Sequence, residues 1–233
     1  MNHATHETPI NPLPPVVWML ALPVIASEAV FALGQAGLVG GADGIGLRLS
    51  AVGQAAYLPD ALPWMVRTGQ FDPMLALRLL TYPFVHMSLT HALFVVVFLL
   101  ALGNMVARMF RPVALLVLFF GSAIGGALVY TALSLWLPGQ AMPLIGGYPA
   151  VYGLIGAFTF VLWTRLEQMQ GNRMRAFTLI GLLMLFQLTF AILFGGMGYG
   201  WLAEIAGFAT GFCLSFVLVD GGVARVLRQI RQR

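Results

Sequence analysis

Six apolar segments, each close to the length of a bilayer-spanning helix, dominate this sequence. They cover residues 16–36, 90–108, 112–137, 149–164, 176–194 and 201–219. A helix needs about 20 apolar residues to cross the hydrocarbon core of a membrane, and this chain is 60% hydrophobic and only 9% charged. We therefore expect an all-α membrane protein, in which residues 16–220 form a six-transmembrane-helix bundle.

The charged residues predict how this bundle is oriented. The formal net charge of +4 comes from arginine, because the chain contains no lysine. In a six-span topology nine arginines fall on one side of the membrane, and only Arg48, Arg67 and Arg78 fall on the other. The positive-inside rule then places residues 1–15 and the basic tail 221–233 in the cytoplasm, beneath a bacterial inner membrane. We expect contact with the lipid bilayer and none with nucleic acid.

The long connection at residues 37–83 differs from an ordinary linker. It contains Gly, Pro and Asp at irregular spacing, yet it keeps Trp64, Phe71 and several leucines. Such a segment is too apolar to lie in water. We expect it to lie partly in the membrane interface, where Trp64 and Arg67 would anchor it.

Glu28 is a carboxylic acid in the middle of the first apolar segment. Because an ionisable group inside a membrane is costly, it is a functional candidate by default. The alternative is a packing residue that is hydrogen bonded, for instance to Gln35. We favour the second interpretation, because no partner with which Glu28 would do chemistry is visible in the sequence.

Three short stretches carry a family resemblance. Residues 146–156 read Gly-Gly-Tyr-Pro-Ala-Val-Tyr-Gly-Leu-Ile-Gly, residues 78–91 contain two histidines, and residues 203–211 read Ala-Glu-Ile-Ala-Gly-Phe-Ala-Thr-Gly. Together they resemble the rhomboid family of intramembrane serine proteases. The corresponding family patterns are G-x-S-G-A-x-[FY]-G, a histidine that begins H-x-x-x-N, and A-H-I-x-G-x-x-x-G. The resemblance covers about residues 16–220 and implies the six-helix fold of that family.

The chain keeps the structural residues of these patterns and replaces the chemical ones. In the family the serine is the nucleophile, the histidine of the last pattern is the general base, and the asparagine helps to form the oxyanion site. Tyr148, Glu204 and Val95 stand in those three places. The other positions of this vestigial active site are His86, His91 and Tyr152. The resemblance therefore implies a site without catalytic residues.

Four glycines of the family patterns are retained. They are Gly153 and Gly156 in the fourth apolar segment and Gly207 and Gly211 in the sixth. Small residues three or four apart leave a helix face without bulk, which allows another helix to approach closely in a bilayer. We expect the sixth helix to pack on the Gly153 face of the fourth.

Other chemistries need groups that the sequence does not place together. Ser122 as a substitute nucleophile has no base assigned to it. Glu204 as an unorthodox base for Tyr148 competes with a simpler interpretation, in which these two residues or His91 hydrogen bond as a satisfied polar cluster. A metal held by His86, His91 and Glu204 would follow no recognised ligand spacing. We expect no metal and no cofactor.

The resemblance implies a rhomboid pseudoprotease. Inactive relatives bind the transmembrane segments of other membrane proteins, as chaperones, adaptors or regulators, and we expect the same here. The second and fifth spans and the segment 37–83 would form the surface for these clients. Two alternatives remain: an active intramembrane protease that uses the substituted residues, and a stoichiometric accessory subunit of a larger membrane complex.

Overall fold

The computed structural model of the protein describes residues 13–136, 141–194 and 199–219. Helices account for most of these residues, and the predicted all-α, six-helix membrane architecture is confirmed. The α-helices are α1 (Pro15–Gln35), α2 (Leu47–Ala55), α3 (Ala61–Thr68), α4 (Pro73–Thr81), α5 (Leu89–Ala107), α6 (Pro112–Ser134), α7 (Tyr148–Gln168), α8 (Thr178–Phe194) and α9 (Trp201–Leu218).

The six predicted spans correspond to α1, α5, α6, α7, α8 and α9. The largest difference in length concerns α7, which continues four residues beyond the predicted end at residue 164. The apolar run stops there, but Leu166, Glu167 and Gln168 are good helix formers and carry the helix on. The predicted end of the third span, Leu137, lies outside the described residues.

Five helices in the described part of the chain are long and apolar enough to cross a membrane, namely α1, α5, α6, α7 and α9. Helix α8 has 17 residues, one fewer than α9. Its length of about 26 Å still approaches the thickness of the hydrocarbon core. The directions of α7 and α9 require α8 to cross the membrane between them. Pro149 meets Gly207 and Gly153 meets Gly211, so α7 and α9 run parallel and the chain between them must return.

Local sequence signals fix where several helices begin. Proline occupies the first turn of α1, α4, α6 and α7, where a missing N–H leaves no intrahelical bond unmade. Asp72 caps α4, because its Oδ1 accepts the N–H groups of Met74 at 2.8 Å and Leu75 at 3.2 Å. Ser88 caps α5 by accepting the N–H of His91 at 3.2 Å. This cap places His91 in the first turn of α5.

The segment 37–83 folds into α2, α3, α4 and two 3₁₀ turns, Gly41–Gly46 and Tyr82–Phe84. Tyr57 links it to the loop before α7, because Tyr57 and Leu144 exchange N–H···O bonds of 3.0 and 2.9 Å. The Tyr57 hydroxyl also lies 2.6 Å from the Thr131 hydroxyl on α6. The segment therefore supports the loop that leads into α7; its placement in a membrane interface stays a prediction.

The suggested partner for Glu28 was wrong. Glu28 on α1 pairs with Arg48 on α2, not with Gln35. The two guanidinium nitrogens Nη1 and Nη2 of Arg48 each lie 2.7 Å from one carboxylate oxygen. Arg48 Nη1 also donates to the backbone carbonyl of His86 at 2.9 Å. Because a planar guanidinium matches a carboxylate in this two-bond geometry, the pair satisfies an acid that would otherwise be buried alone.

Candidate functional site

Three aromatic rings are in contact near the first residues of α5 and α7. The His86 ring meets the His91 ring edge-on, with centroids 4.9 Å apart and planes at 89°. His91 also contacts Tyr148, the first residue of α7, whose ring is stacked on it with centroids 4.7 Å apart and planes at 26°. The predicted site residues His86, His91 and Tyr148 are thus brought together by one edge-on and one stacked ring contact.

His86 is a neutral hydrogen-bond acceptor in this site. It is fully buried, and burial, with the nearby His91 and Arg48 charges as smaller causes, lowers the pKa of its imidazole to about 3. Its Nε2 accepts the N–H of Gly147 at 3.3 Å, while Nδ1 has no partner among the described residues. Protonation would charge the ring and remove the acceptor at Nε2. His86 therefore orients the loop before α7 and does not titrate near neutral pH.

The loop at residues 141–147 is held on several sides. The Tyr130 hydroxyl accepts the N–H of Met142 at 3.0 Å and donates to its carbonyl at 3.1 Å. Two residues on, Leu144 is bound to Tyr57, and the N–H of Gly146 donates to the Tyr82 carbonyl at 2.9 Å. Backbone groups that are satisfied in this way fix the entry into α7.

Gly146 is required by both conformation and space. Its φ of +94° lies in the region that residues with a side chain rarely adopt. A Cβ built on it would lie 2.5 Å from Cε1 and 2.7 Å from Nε2 of His91. Substitution would therefore strain the backbone and push His91 from its stack.

We expect Gly146→Ala to lower the free energy of unfolding by about 2–3 kcal/mol, because a backbone penalty and a steric penalty add. Gly69→Ala is the matched control. Gly69 has a φ of +67° but nothing within 4 Å of a built Cβ, so this change should cost only about 1 kcal/mol. Chemical or SDS-induced unfolding of both variants in micelles measures the difference. Equal losses of stability in the two variants would show that the His91 side chain moves aside without an energetic cost.

Val95 and the start of α7 share an apolar contact. Val95 is buried one turn after His91, and a Cβ built on Gly147 would lie 2.8 Å from its Cγ1. The valine side chain has no polar group, so it supplies no hydrogen-bond donor to this region.

Tyr152 and Glu204 form a polar contact near Tyr148. The Tyr152 hydroxyl and the Glu204 carboxylate lie within side-chain hydrogen-bonding range, and the Glu204 charge also acts on Tyr148. Tyr152 is a hydrogen-bonding neighbour of Glu204, and Tyr148 contacts His91 through its ring face.

The retained glycines lie where α7, α6 and α9 approach most closely. A Cβ on Gly207 would overlap the Pro149 carbonyl, and one on Gly211 would overlap the backbone of Gly153. A Cβ on Gly156 would overlap the Phe208 carbonyl. These contacts join backbone to backbone across the α7–α9 interface, so the glycines set the distance between the two helices.

Ser122 belongs to the same packing surface. It is fully buried on α6, a Cβ on Gly153 would overlap its side chain, and its hydroxyl makes no hydrogen bond to a described residue. A serine nucleophile needs a base within hydrogen-bond reach. Ser122 thus has the environment of a small packing residue.

No three His, Cys, Asp or Glu side chains are grouped as metal ligands within the described ranges. His86, His91 and Glu204, which the sequence allowed as a metal set, are therefore not brought together in that way. The residue that sequence reasoning missed is Arg48, which contacts both Glu28 and the His86 carbonyl. The only sign of this role of Arg48 in the sequence is that an arginine lies within an apolar connection.

Comparison with protein families identifies one match. The model for the rhomboid domain matches residues 75–221, which is more than half of the chain. The matched stretch begins in α4 and contains the ring stack, the loop before α7 and the α7–α9 interface. A search of curated proteins finds none that matches the chain.

Proposed function

We propose that this chain, which belongs to the rhomboid family, is a catalytically inactive member that binds the transmembrane helices of other membrane proteins. It is an integral membrane protein with a rhomboid-like fold. The observation that carries the proposal is the contact at the first residue of α7. There Tyr148 occupies the position at which the family pattern has its serine, and the tyrosine ring lies flat on His91.

Serine-type proteolysis needs a nucleophile, a base that removes its proton and donors for the oxyanion. In this chain the three corresponding positions hold a phenol, a carboxylate and an isopropyl group. A phenolate is also a good leaving group, so an acyl-tyrosine intermediate would be a poor product of the first step. Loss of the serine or histidine alone costs on the order of a millionfold in kcat in a serine protease. Replacement of the whole set supports an inactive protein.

We therefore expect no cleavage when the purified, folded chain is reconstituted in liposomes with a rhomboid-type transmembrane substrate. The measurement is product formation on gels, beside an active family member in the same lipid. Tyr148→Phe and Glu204→Gln serve as controls for chemistry. Product from the wild-type chain that either variant abolishes would instead identify an active protease with substituted residues.

Binding would use the faces that the bundle leaves uncovered. Helix α5 exposes Leu89, Leu93 and Phe94, and α8 exposes Leu182 and Leu185. In a bilayer such side chains contact lipid or another helix, and helix association relies on close packing. These two faces and the segment 37–83 make up the surface that we propose for clients.

Site-specific photocrosslinking in native membranes tests this surface. A crosslinker at Leu93 or Leu182 should capture membrane proteins that one at Val117, an exposed position on α6, does not. Equal capture at all three positions would argue against a client surface. Partners recovered in fixed ratio to the chain would indicate a stoichiometric subunit of a larger complex, whereas a chaperone should release its clients.

The proposal includes an orientation. The nine arginines on one side support a topology with both termini in the cytoplasm, and the membrane we propose is a bacterial inner membrane. The loop before α7 and the start of α9 would then face away from the cytoplasm. Labelling of single introduced cysteines in intact cells tests this: a cysteine in place of Met142 should react with a membrane-impermeant reagent, and one in place of Asn172 should not.

A further inference from the structure

A turn rich in arginine joins α7 to α8. We call residues 165–175 the basic turn, because they include Arg165, Arg173 and Arg175. Helix α7 has 21 residues and is about 31 Å long, which is enough to cross the hydrocarbon core of a bilayer. The last turn of α7, and the basic turn with it, therefore reaches the headgroup region of the membrane.

Positive charge collects at this end of the bundle. The ring of Tyr148 at the start of α7 stacks on His91 at the start of α5, so the two spans run in the same direction. Arg108 and Arg111, which follow α5, thus lie at the same end as the basic turn. Glu167 is the one acidic residue of the α5–α6 connection and the basic turn together. The surface therefore complements a negatively charged partner.

The arginines of the basic turn differ in what they contact. Arg173 Nη1 lies 2.8 Å from Glu167 Oε1, and the guanidinium carbon lies 3.6 Å from the centroid of the Trp163 ring. This ion pair neutralises the one acid of the surface. Arg165 and Arg175 are exposed, and within the described ranges their side chains make no hydrogen bond or ion pair. Their guanidinium groups can therefore bind an anion.

The backbone of the basic turn is ordered. The N–H of Gly171 donates to the Leu166 carbonyl at 2.8 Å, and Asn172 Oδ1 accepts the N–H of Met174 at 3.0 Å. A preformed surface loses little freedom when it binds. Met169 and Met174 are 77% and 70% exposed, so apolar side chains lie beside the cations, as on surfaces that rest against lipid.

We propose that the basic turn binds the headgroup of an anionic phospholipid, with Arg165 and Arg175 as the groups that bind its phosphate. A guanidinium donates two parallel hydrogen bonds to a phosphate, and basic clusters at the end of a spanning helix attract anionic lipids. A zwitterionic lipid also carries a phosphate, but its ammonium group is repelled by the same arginines. This binding does not depend on the client surface.

The test uses the full-length chain in detergent micelles, titrated with phosphatidylglycerol or with phosphatidylcholine of the same acyl chains. Native mass spectrometry resolves the chain with one bound lipid and gives each dissociation constant. We expect phosphatidylglycerol to bind at least about fivefold more tightly, because one arginine at a membrane surface favours an anionic lipid by about that factor. Equal dissociation constants for the two lipids would overturn the inference.

Charge variants locate the source of this preference. Arg165→Gln combined with Arg175→Gln should lower it by about fivefold or more. Glu167→Gln removes the acid and should tighten the binding of phosphatidylglycerol. Arg67→Gln is the matched control, since Arg67 is an exposed arginine on α3, in the segment between α1 and α5, and the preference should persist. A preference that survives the double variant would overturn the inference, while client binding stands.

The basic tail, residues 221–233, is a second source of positive charge. A variant in which glutamine replaces its arginines tests that source; the positions are Arg225, Arg228, Arg231 and Arg233. We expect this variant to keep a preference for phosphatidylglycerol. A preference that disappears in the tail variant and remains in the double variant of the basic turn would assign lipid binding to the tail and overturn the inference.

Discussion

Replacement of Arg48 by methionine is expected to lower the free energy of unfolding by about 3–5 kcal/mol. The side chains of Arg48 and Glu28 are 13% and 8% exposed, so the change leaves a carboxylate buried without its cation. It also removes the donor to the His86 carbonyl. Steric trapping or SDS-induced unfolding in micelles measures the loss.

The matched control is the exposed ion pair of Arg173 and Glu167, whose side chains are 35% and 53% exposed. Water solvates both of these charges, so Glu167→Gln should cost no more than about 1 kcal/mol. A double variant, Glu28→Met with Arg48→Met, should be more stable than the Arg48→Met single variant, because no unpaired charge remains. If Arg48→Met lowers the free energy of unfolding no more than Glu167→Gln does, water must reach Glu28.

Sequence reasoning located the helices because membrane spans have a strong local signal. A run of about 20 apolar residues has few alternatives in a bilayer, since every backbone group must be satisfied within the segment. The ends were less certain: residues 165–168 extend α7 although they are not apolar. Helix ends depend on propensity and capping, which an apolar run does not record.

The candidate site was predicted in its residues but not in its contacts. The resemblance to the rhomboid patterns assigned Tyr148, Tyr152 and Glu204 to one region, yet it did not predict that Tyr152 would be a hydrogen-bonding neighbour of the carboxylate. Nor did it predict that the Tyr148 ring would stack on His91. Such choices depend on side-chain orientation, and the sequence pattern carries only the position along the chain.

Contacts between residues far apart in the chain could not be predicted from the sequence, for a different reason. Arg48 lies 20 residues from Glu28 and 38 from His86. Both Glu28 and Arg48 lie outside the stretch that matches the rhomboid domain. No local sequence pattern links Glu28 to an arginine in a connection of irregular composition. The pair can be recognised only once α2 is folded against α1.

Replacement of Gly211 by leucine is expected to destabilise the bundle by more than about 3 kcal/mol, above the usual cost of overpacking. A built Cβ on Gly211 overlaps the Gly153 carbonyl and lies 2.6 Å from the Gly153 Cα. A backbone cannot move aside as a side-chain end can. Either α9 shifts away from α7, or the residue leaves its helical conformation.

The matched control is Gly53→Leu in α2, where nothing lies within 4 Å of a built Cβ. This change gains helix propensity without a clash, so stability should stay equal or rise by up to about 1 kcal/mol. Unfolding of both variants in the same micelles gives the comparison. Because Glu204 and Gly211 lie on one helix, a shift of α9 should also move the carboxylate relative to Tyr152. A loss of stability in Gly211→Leu no larger than that in Gly53→Leu would show that α9 holds its position despite the added side chain.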